Sequence, residues 1–210
     1  MNSGPCHRPG SHPSQLSRPQ QPALMKNVLI ISGHPDLAHS VANATILDEV
    51  AKALPEAKIR RLDTLYPTYQ FDIEAEQAAL LDADVIVLQF PFSWYSLPGL
   101  LKLWLDKVFL HGLSHGSHGK LGGKKVLFSF TTGAPKAVYA TDGAFRHPVE
   151  DYLPQFETTA RLCNLDYLPP VWINGVSYTD RGDEAKINAQ KEAARAHATR
   201  VVEAIRKATA

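Results

Sequence analysis

The stretch Asn27-Val28-Leu29-Ile30-Ile31-Ser32-Gly33-His34-Pro35-Asp36 decides the fold. Residues 27–32 form a short, continuous apolar run, which marks a strand covered on both faces. A Gly-His-Pro-Asp turn follows. Over residues 40–54, Ala44, Leu47, Val50, Ala51 and Leu54 then recur at helical spacing. A doubly buried strand leading through a turn into an amphipathic helix opens a βαβ unit.

Outward from this stretch the alternation repeats. Residues 58–62 read as a shorter, more polar strand at a sheet edge, and residues 73–81 as a short helix. Residues 84–90 (DVIVLQF) and 125–131 (KVLFSFT) are two further buried strands. Between them, residues 98–110 form a helix with Pro98 in its first turn and Gly112 just past its end. Residues 148–163 read as a helix interrupted or restarted at Pro154, and residues 167–173 as a fifth strand that Pro169 and Pro170 push towards an edge. A long helix over residues 183–207 places Ile187, Ala194, Ala198, Val201 and Ile205 on one face. Strands alternating with helices imply a parallel sheet with right-handed crossovers. The fold class predicted is α/β: a three-layer, doubly wound parallel sheet of five strands in the order 2-1-3-4-5.

Residues 1–24 differ from this body. They are rich in Pro, Ser, Gln, His and Gly and carry no periodic apolar pattern, so they are predicted to be a disordered extension to a single domain over residues 25–210. They lack the apolar core of a secretory signal, and Met25 offers an alternative translational start. The 210 residues suit one domain, and no apolar run spans a bilayer. The formal net charge of +1 gives no electrostatic case for nucleic acid and disfavours a strongly acidic electron shuttle. The two cysteines, Cys6 and Cys163, read as free thiols in a reducing cytoplasm.

In a doubly wound sheet, ligands bind beyond the carboxyl ends of the strands at the switch point. Three loops lie there. The first, Gly33 to Asn43, ends at a helix start with Ser40 as N-cap. The free amides there favour a phosphate, to which Ser40 and His34 can also donate; capping alone would equally account for Ser40. There is no GxGxxG and no Walker lysine, which sets aside a Rossmann dinucleotide site and a nucleotidase P-loop. The second loop, Pro91-Phe92-Ser93-Trp94-Tyr95-Ser96-Leu97-Pro98, brackets aromatics between prolines and suits a flat ring system, though an aromatic there also serves to plug the core. The third, Thr131-Thr132-Gly133-Ala134-Pro135, is small enough to let a ligand approach the backbone. His111, His115 and His118 have no carboxylate or cysteine to complete a ligand set, so no metal is expected; their Gly/Ser-rich loop reads as a flap over the pocket.

With these residues in view, the chain resembles the flavodoxin-like NAD(P)H:quinone oxidoreductases, and within them the ancillary flavoproteins of bacterial glutathione-gated potassium efflux systems. The resemblance rests on His34-Pro35 with Ser40-Val41-Ala42-Asn43, on Phe71 to Gln77, on the run Gln89 to Gly112 (QFPFSWYSLPGLLKLWLDKVFLHG), on Thr131-Thr132-Gly133 and on Leu168-Pro169-Pro170. It implies a flavodoxin-like fold that binds FMN rather than FAD. His34, Ser40, Val41, Ala42 and Asn43 would hold its phosphate and ribityl chain, and Phe92, Ser93, Trp94, Tyr95, Thr131, Thr132, Gly133 and Ala134 would frame its ring. It implies two-electron, ping-pong transfer from NAD(P)H to quinones, with Tyr139 and His147 stabilising charge on the flavin. The segment between Ala134 and Arg146 departs from the family in length, and a surface role for His147 stays open. The resemblance further implies a homodimer and a cytoplasmic location, peripheral at the inner membrane where a potassium efflux transporter is the partner. Two alternatives stand beside the enzyme: a regulatory subunit of such a transporter, and a flavodoxin-type electron carrier.

Overall fold

The computed structural model describes Met1 and residues 26–210; apart from Met1, the predicted extension lies outside the described residues. The chain runs through β1 (Val28–Ser32), α1 (Val41–Ala53), β2 (Lys58–Arg61), α2 (Leu62–Leu65), α3 (Ile73–Asp82), β3 (Val85–Pro91) and α4 (Gly99–Val108). It continues through β4 (Lys125–Thr131), α5 (Pro154–Leu162), β5 (Asp166–Tyr167), β6 (Val171–Ile173) and α6 (Glu184–Thr209). The strand order is β2-β1-β3-β4-β5, with every pairing parallel and β6 added beside the end of β4. The predicted order is therefore correct and the predicted number is one short. The expected fifth strand is two: β5 pairs the start of β4 at Lys125 and Val126, and β6 pairs its end from Ser129 to Thr131. Pro169 and Pro170 lie between them, where residues without an N–H cannot continue a ladder.

Alternation along the buried strands feeds two cores. Leu29, Ile31, Ile86, Leu88, Phe128 and Phe130 pack on one face against α4 and α5, around the fully enclosed Trp104 and Phe156. Val28, Ile30, Val85, Val87 and Leu127 pack on the other face against α1 and α6, through Ile46, Val50, Ala194, Ala198, Val201 and Ile205. Helix starts follow local chemistry. The side chains of Ser40, Asp72 and Asp183 accept hydrogen bonds from Asn43, Ala75 and Lys186 backbone amides and so cap α1, α3 and α6. Pro98 stands just before α4 as its cap rather than inside its first turn. The segment read as one interrupted helix is a 3-10 turn, Val149–Tyr152, followed by α5 beginning at Pro154.

The expected flap is overturned. The histidine-bearing loop after α4 does not cover the pocket. Helix α4 starts at the carboxyl end of β3 and runs back beside the sheet, so its following loop lies at the opposite end. There Lys120 and Gly122 to Lys124 share a cavity with Lys26 and Asp84, next to the strand starts.

Candidate functional site

The strand that opens the fold also shapes the site. Gly33 follows β1 directly; a Cβ there would stand 2.6 Å from Leu101 Cβ, so only glycine lets the chain leave the sheet beneath α4. Past it, the first loop turns towards the start of α1. His34 Nδ1 accepts from the Asp36 amide at 3.0 Å, which leaves the proton on Nε2. Burial, reinforced by Arg181, lowers the His34 pKa against the opposing pull of Asp36 and Asp63, so His34 is a neutral donor at pH 7. Ser40 Oγ accepts from the Asn43 amide at 3.2 Å, while the amides of Val41 and Ala42 stand in the open first turn.

The second loop is a tight reversal. Ser93 and Ser96 exchange backbone hydrogen bonds of 3.1 and 3.0 Å, and the two residues between them, Trp94 and Tyr95, have φ of 49° and 65°. Positive φ at both central positions gives a type I′ geometry, which costs non-glycine residues about 1–2 kcal/mol each. The strained turn divides the three aromatics among different tasks. Phe92 enters the core against Phe130 and Tyr152, Tyr95 stacks on Tyr152 at 5.4 Å, and Trp94 projects outward with 92% of its surface exposed.

These loops meet the third in a cleft of about 540 Å³ at the carboxyl ends of β1, β3 and β4, a volume suited to a cofactor-sized ligand. The cleft brings together His34, Ser40, Val41, Ala42, Asn43, Phe92, Ser93, Trp94, Thr131 and Gly133 from the predicted set. Tyr95, Thr132 and Ala134 do not line it. Thr132 Oγ1 donates to the Ala134 carbonyl at 3.2 Å and accepts from Asn174 at 2.8 Å, which ties the third loop to the segment after β6.

The two predicted catalytic residues do not join this cleft. Tyr139 is buried and lines a second cavity of about 660 Å³ with Lys136, Pro148, Trp172, Asn174 and Arg200. Burial raises the Tyr139 pKa, so its hydroxyl keeps its proton. His147 lies on the surface, with Nδ1 3.0 Å from Asp151. Among the described residues, no group of three or more His, Cys, Asp or Glu side chains is arranged to hold a metal ion.

Sequence reasoning missed one wall of the cleft. Val176, Ser177, Tyr178 and Arg181 close it from the segment after β6, and Gln190 of α6 supports them by donating to the Ser177 carbonyl at 2.9 Å. A Lys186–Asp180 ion pair of 3.1 Å holds the same 3-10 turn. Nothing local in residues 174–182 marks a binding loop; only the pairing of β6 beside β4 brings it to the site.

A helix N-terminus with hydroxyl and imidazole donors, lined up in one cleft with proline-stiffened backbone and small residues, has the chemistry to hold a phosphate-bearing ligand with a planar group. Consistent with this, the family model for the flavodoxin-like fold matches residues 26–198, and the chain belongs to that family. Among its relatives, the chain is 48% identical over 145 residues to the glutathione-regulated potassium-efflux system ancillary protein KefF of Enterobacter sp. (strain 638), covering 68% of this chain and 80% of that protein. The structure of general stress protein 14 from Treponema denticola in complex with FMN is 34% identical with a TM-score of 0.75, covering 85% of this chain and 98% of the other. An NADPH-quinone reductase from P. pentosaceus is 25% identical with a TM-score of 0.62, covering 82% and 97%.

Proposed function

We propose that this chain is an FMN-dependent NAD(P)H:quinone oxidoreductase. The observation that carries the reading is the convergence of three loops on one cleft, which gathers His34, Ser40 and Arg181 with Phe92, Trp94 and Gly133. The residues fit FMN on their own chemistry. Ser40, the first-turn amides of α1, neutral His34 and the Arg181 guanidinium make a donor-only end for a phosphate. Gly133 has no side chain to obstruct a ring, and a Cβ there would meet only the Val176 carbonyl at 3.8 Å. The Phe92 and Ser93 amides already donate to the Thr131 and Ser96 carbonyls, so the second loop would offer the polar edge of such a ring its free carbonyl lone pairs, and Thr131 its hydroxyl. Bound FMN would supply the two-electron hydride chemistry. Trp94 then borders the open face where a nicotinamide or a quinone would enter in turn. Tyr139, fixed behind the Thr131–Gly133 loop as a protonated donor, is the residue we keep for steadying charge on the ring through that loop; His147 is retained only as a candidate.

The relatives support the same reading: one solved relative holds FMN and another is named an NADPH-quinone reductase. A second reading, a regulatory subunit of a potassium efflux transporter, is favoured by the 48% identity to KefF. On either reading we place the chain in the cytoplasm as a homodimer, peripheral to the membrane where such a transporter is its partner. Among the described residues no helix is long and apolar enough to cross a membrane.

The test is an absorbance spectrum of the purified protein reconstituted with FMN, followed by anaerobic NADPH. Flavin bands that bleach on addition, and return with a soluble quinone, are expected. A protein that takes up no FMN would end the proposal. Bound flavin that NADPH fails to bleach would leave the regulatory reading.

A further inference from the structure

The α1/α6 face of the sheet is apolar at its start and polar at its end. Ser32, Gln89, Ser129 and Thr131 are all buried where Val28, Val85 and Leu127 begin the same rows. Facing them from α6 is His197, fully enclosed among alanines and valines. These groups form one continuous line of hydrogen bonds. His197 Nε2 lies 2.7 Å from Ser129 Oγ, and Ser129 Oγ lies 2.5 Å from Gln89 Oε1. Gln89 Nε2 lies 2.9 Å from Asn43 Oδ1, and Asn43 Nδ2 lies 3.1 Å from Thr131 Oγ1 and 3.4 Å from Ser40 Oγ.

A line of amides and hydroxyls can run in either direction, and its direction is fixed only where a group has no choice. That group is Arg200. Its guanidinium can only donate; one Nη donates to the Trp172 carbonyl at 2.8 Å and faces His197 Nδ1 at 3.4 Å. Nδ1 must therefore accept, which leaves the proton on Nε2. Ser129 must accept that proton's hydrogen bond and give its own to Gln89 Oε1. Gln89 then turns its NH₂ to Asn43, and Asn43 turns its NH₂ to Thr131 and Ser40. Ser40 Oγ already accepts from the Asn43 amide, so both of its lone pairs are taken. Among the described residues neither the Ser40 nor the Thr131 hydroxyl donates to a protein acceptor. Both protons are left for a ligand.

We propose that Arg200, on the outer side of α6, is a positioning residue that sets the hydrogen-bond polarity of the cleft through His197, Ser129, Gln89 and Asn43, so that Ser40 and Thr131 meet the ligand as donors. That the ligand is FMN rests on the function proposed above; the polarity of the line does not. Burial, and then the charge of Arg200, keep the imidazole neutral, as a fixed tautomer requires.

Two substitutions at this exposed position separate polarity from structure. Arg200→Lys keeps a head group that only donates. Arg200→Glu presents an acceptor to Nδ1, which should move the proton to Nδ1 and reverse every bond to Thr131. Imidazole ¹⁵N shifts of His197, measured without ligand, are expected to report Nε2–H in the wild type and in the Lys variant, and Nδ1–H in the Glu variant. FMN affinity is expected to fall about tenfold in the Glu variant, the worth of one hydrogen bond to a charged acceptor, and to stay within about twofold in the Lys variant. The loss should persist at about 1 M salt, where long-range charge effects are screened. A wild-type Nδ1–H tautomer overturns the proposal. So does a tautomer indifferent to Arg200→Glu, or a reversed tautomer with unchanged FMN affinity. If the wild type binds no FMN, the proposed function fails while the ligand-free tautomers still decide the polarity.

Discussion

Trp104 donates its indole Nε1–H to Glu76 Oε2 at 3.0 Å, and both side chains are shut off from solvent. The other carboxylate oxygen takes hydrogen bonds from Arg60 Nε at 2.8 Å and from the Tyr66 hydroxyl at 2.5 Å. One buried carboxylate therefore ties α3 and α4 to β2 and the segment after α2. Replacing Glu76 with Ala leaves an indole N–H and a phenol without partners beside a half-buried guanidinium. The expected cost is about 3–5 kcal/mol, read as a lower denaturant midpoint at unchanged slope. A midpoint within error of wild type would show that these groups find water instead.

Ser40 has two roles that one substitution can divide. Aspartate caps a helix as well as serine does, so Ser40→Asp should leave thermal stability within about 0.5 kcal/mol. The added charge should weaken FMN binding by roughly a hundredfold or more, since like charges at contact distance repel by several kcal/mol near a protein surface. Undiminished FMN occupancy would remove Ser40 from the phosphate end.

Arg181 is the cation that the β6 edge brings to the cleft. Arg181→Gln should weaken FMN by about tenfold and flatten the salt dependence of binding. Isothermal titration at two ionic strengths checks both. Equal affinity with an unchanged salt slope would assign the guanidinium to the loop alone.

Tyr139 does not touch the cleft, yet it lies beside the loop that forms one wall. Tyr139→Phe should slow flavin reduction by NADPH in stopped flow while altering FMN affinity by less than about twofold. A reduction rate equal to wild type would confine Tyr139 to packing.

His197 makes stability depend on pH. Its folded-state pKa is lowered to about 3, first by burial and then by Arg200, against 6.5 when exposed. Below about pH 6 the unfolded chain therefore binds a proton that the folded chain refuses. The stability present above that pH is lost as pH falls towards 3, by about 1.4 kcal/mol per pH unit from this group. His197→Gln should reduce the slope of unfolding free energy between about pH 6 and pH 4. An identical slope in both proteins would mean that His197 titrates normally.

Much of this protein was legible before its structure. The apolar runs at 27–32, 84–90 and 125–131 announced buried parallel strands because every residue in them needs cover on both faces. Ser40 marked the start of α1 because capping is a local bond between a side chain and an amide three residues on. The switch-point rule then led to three loops, and most of their predicted residues meet in one cleft, Tyr95, Thr132 and Ala134 excepted.

What tertiary structure alone decided is of a different kind. The split of the last strand, the Arg181 wall and the direction of the histidine loop depend on which edges pair and where a helix delivers the chain. Gln89 and Ser129 are polar residues within apolar runs; only α6, more than sixty residues further along, supplies the His197 that joins them. Local periodicity records which face a residue needs, because burial is a property of one element. It does not record which distant polar group will answer a buried hydrogen bond, because that partner exists only when two elements have packed.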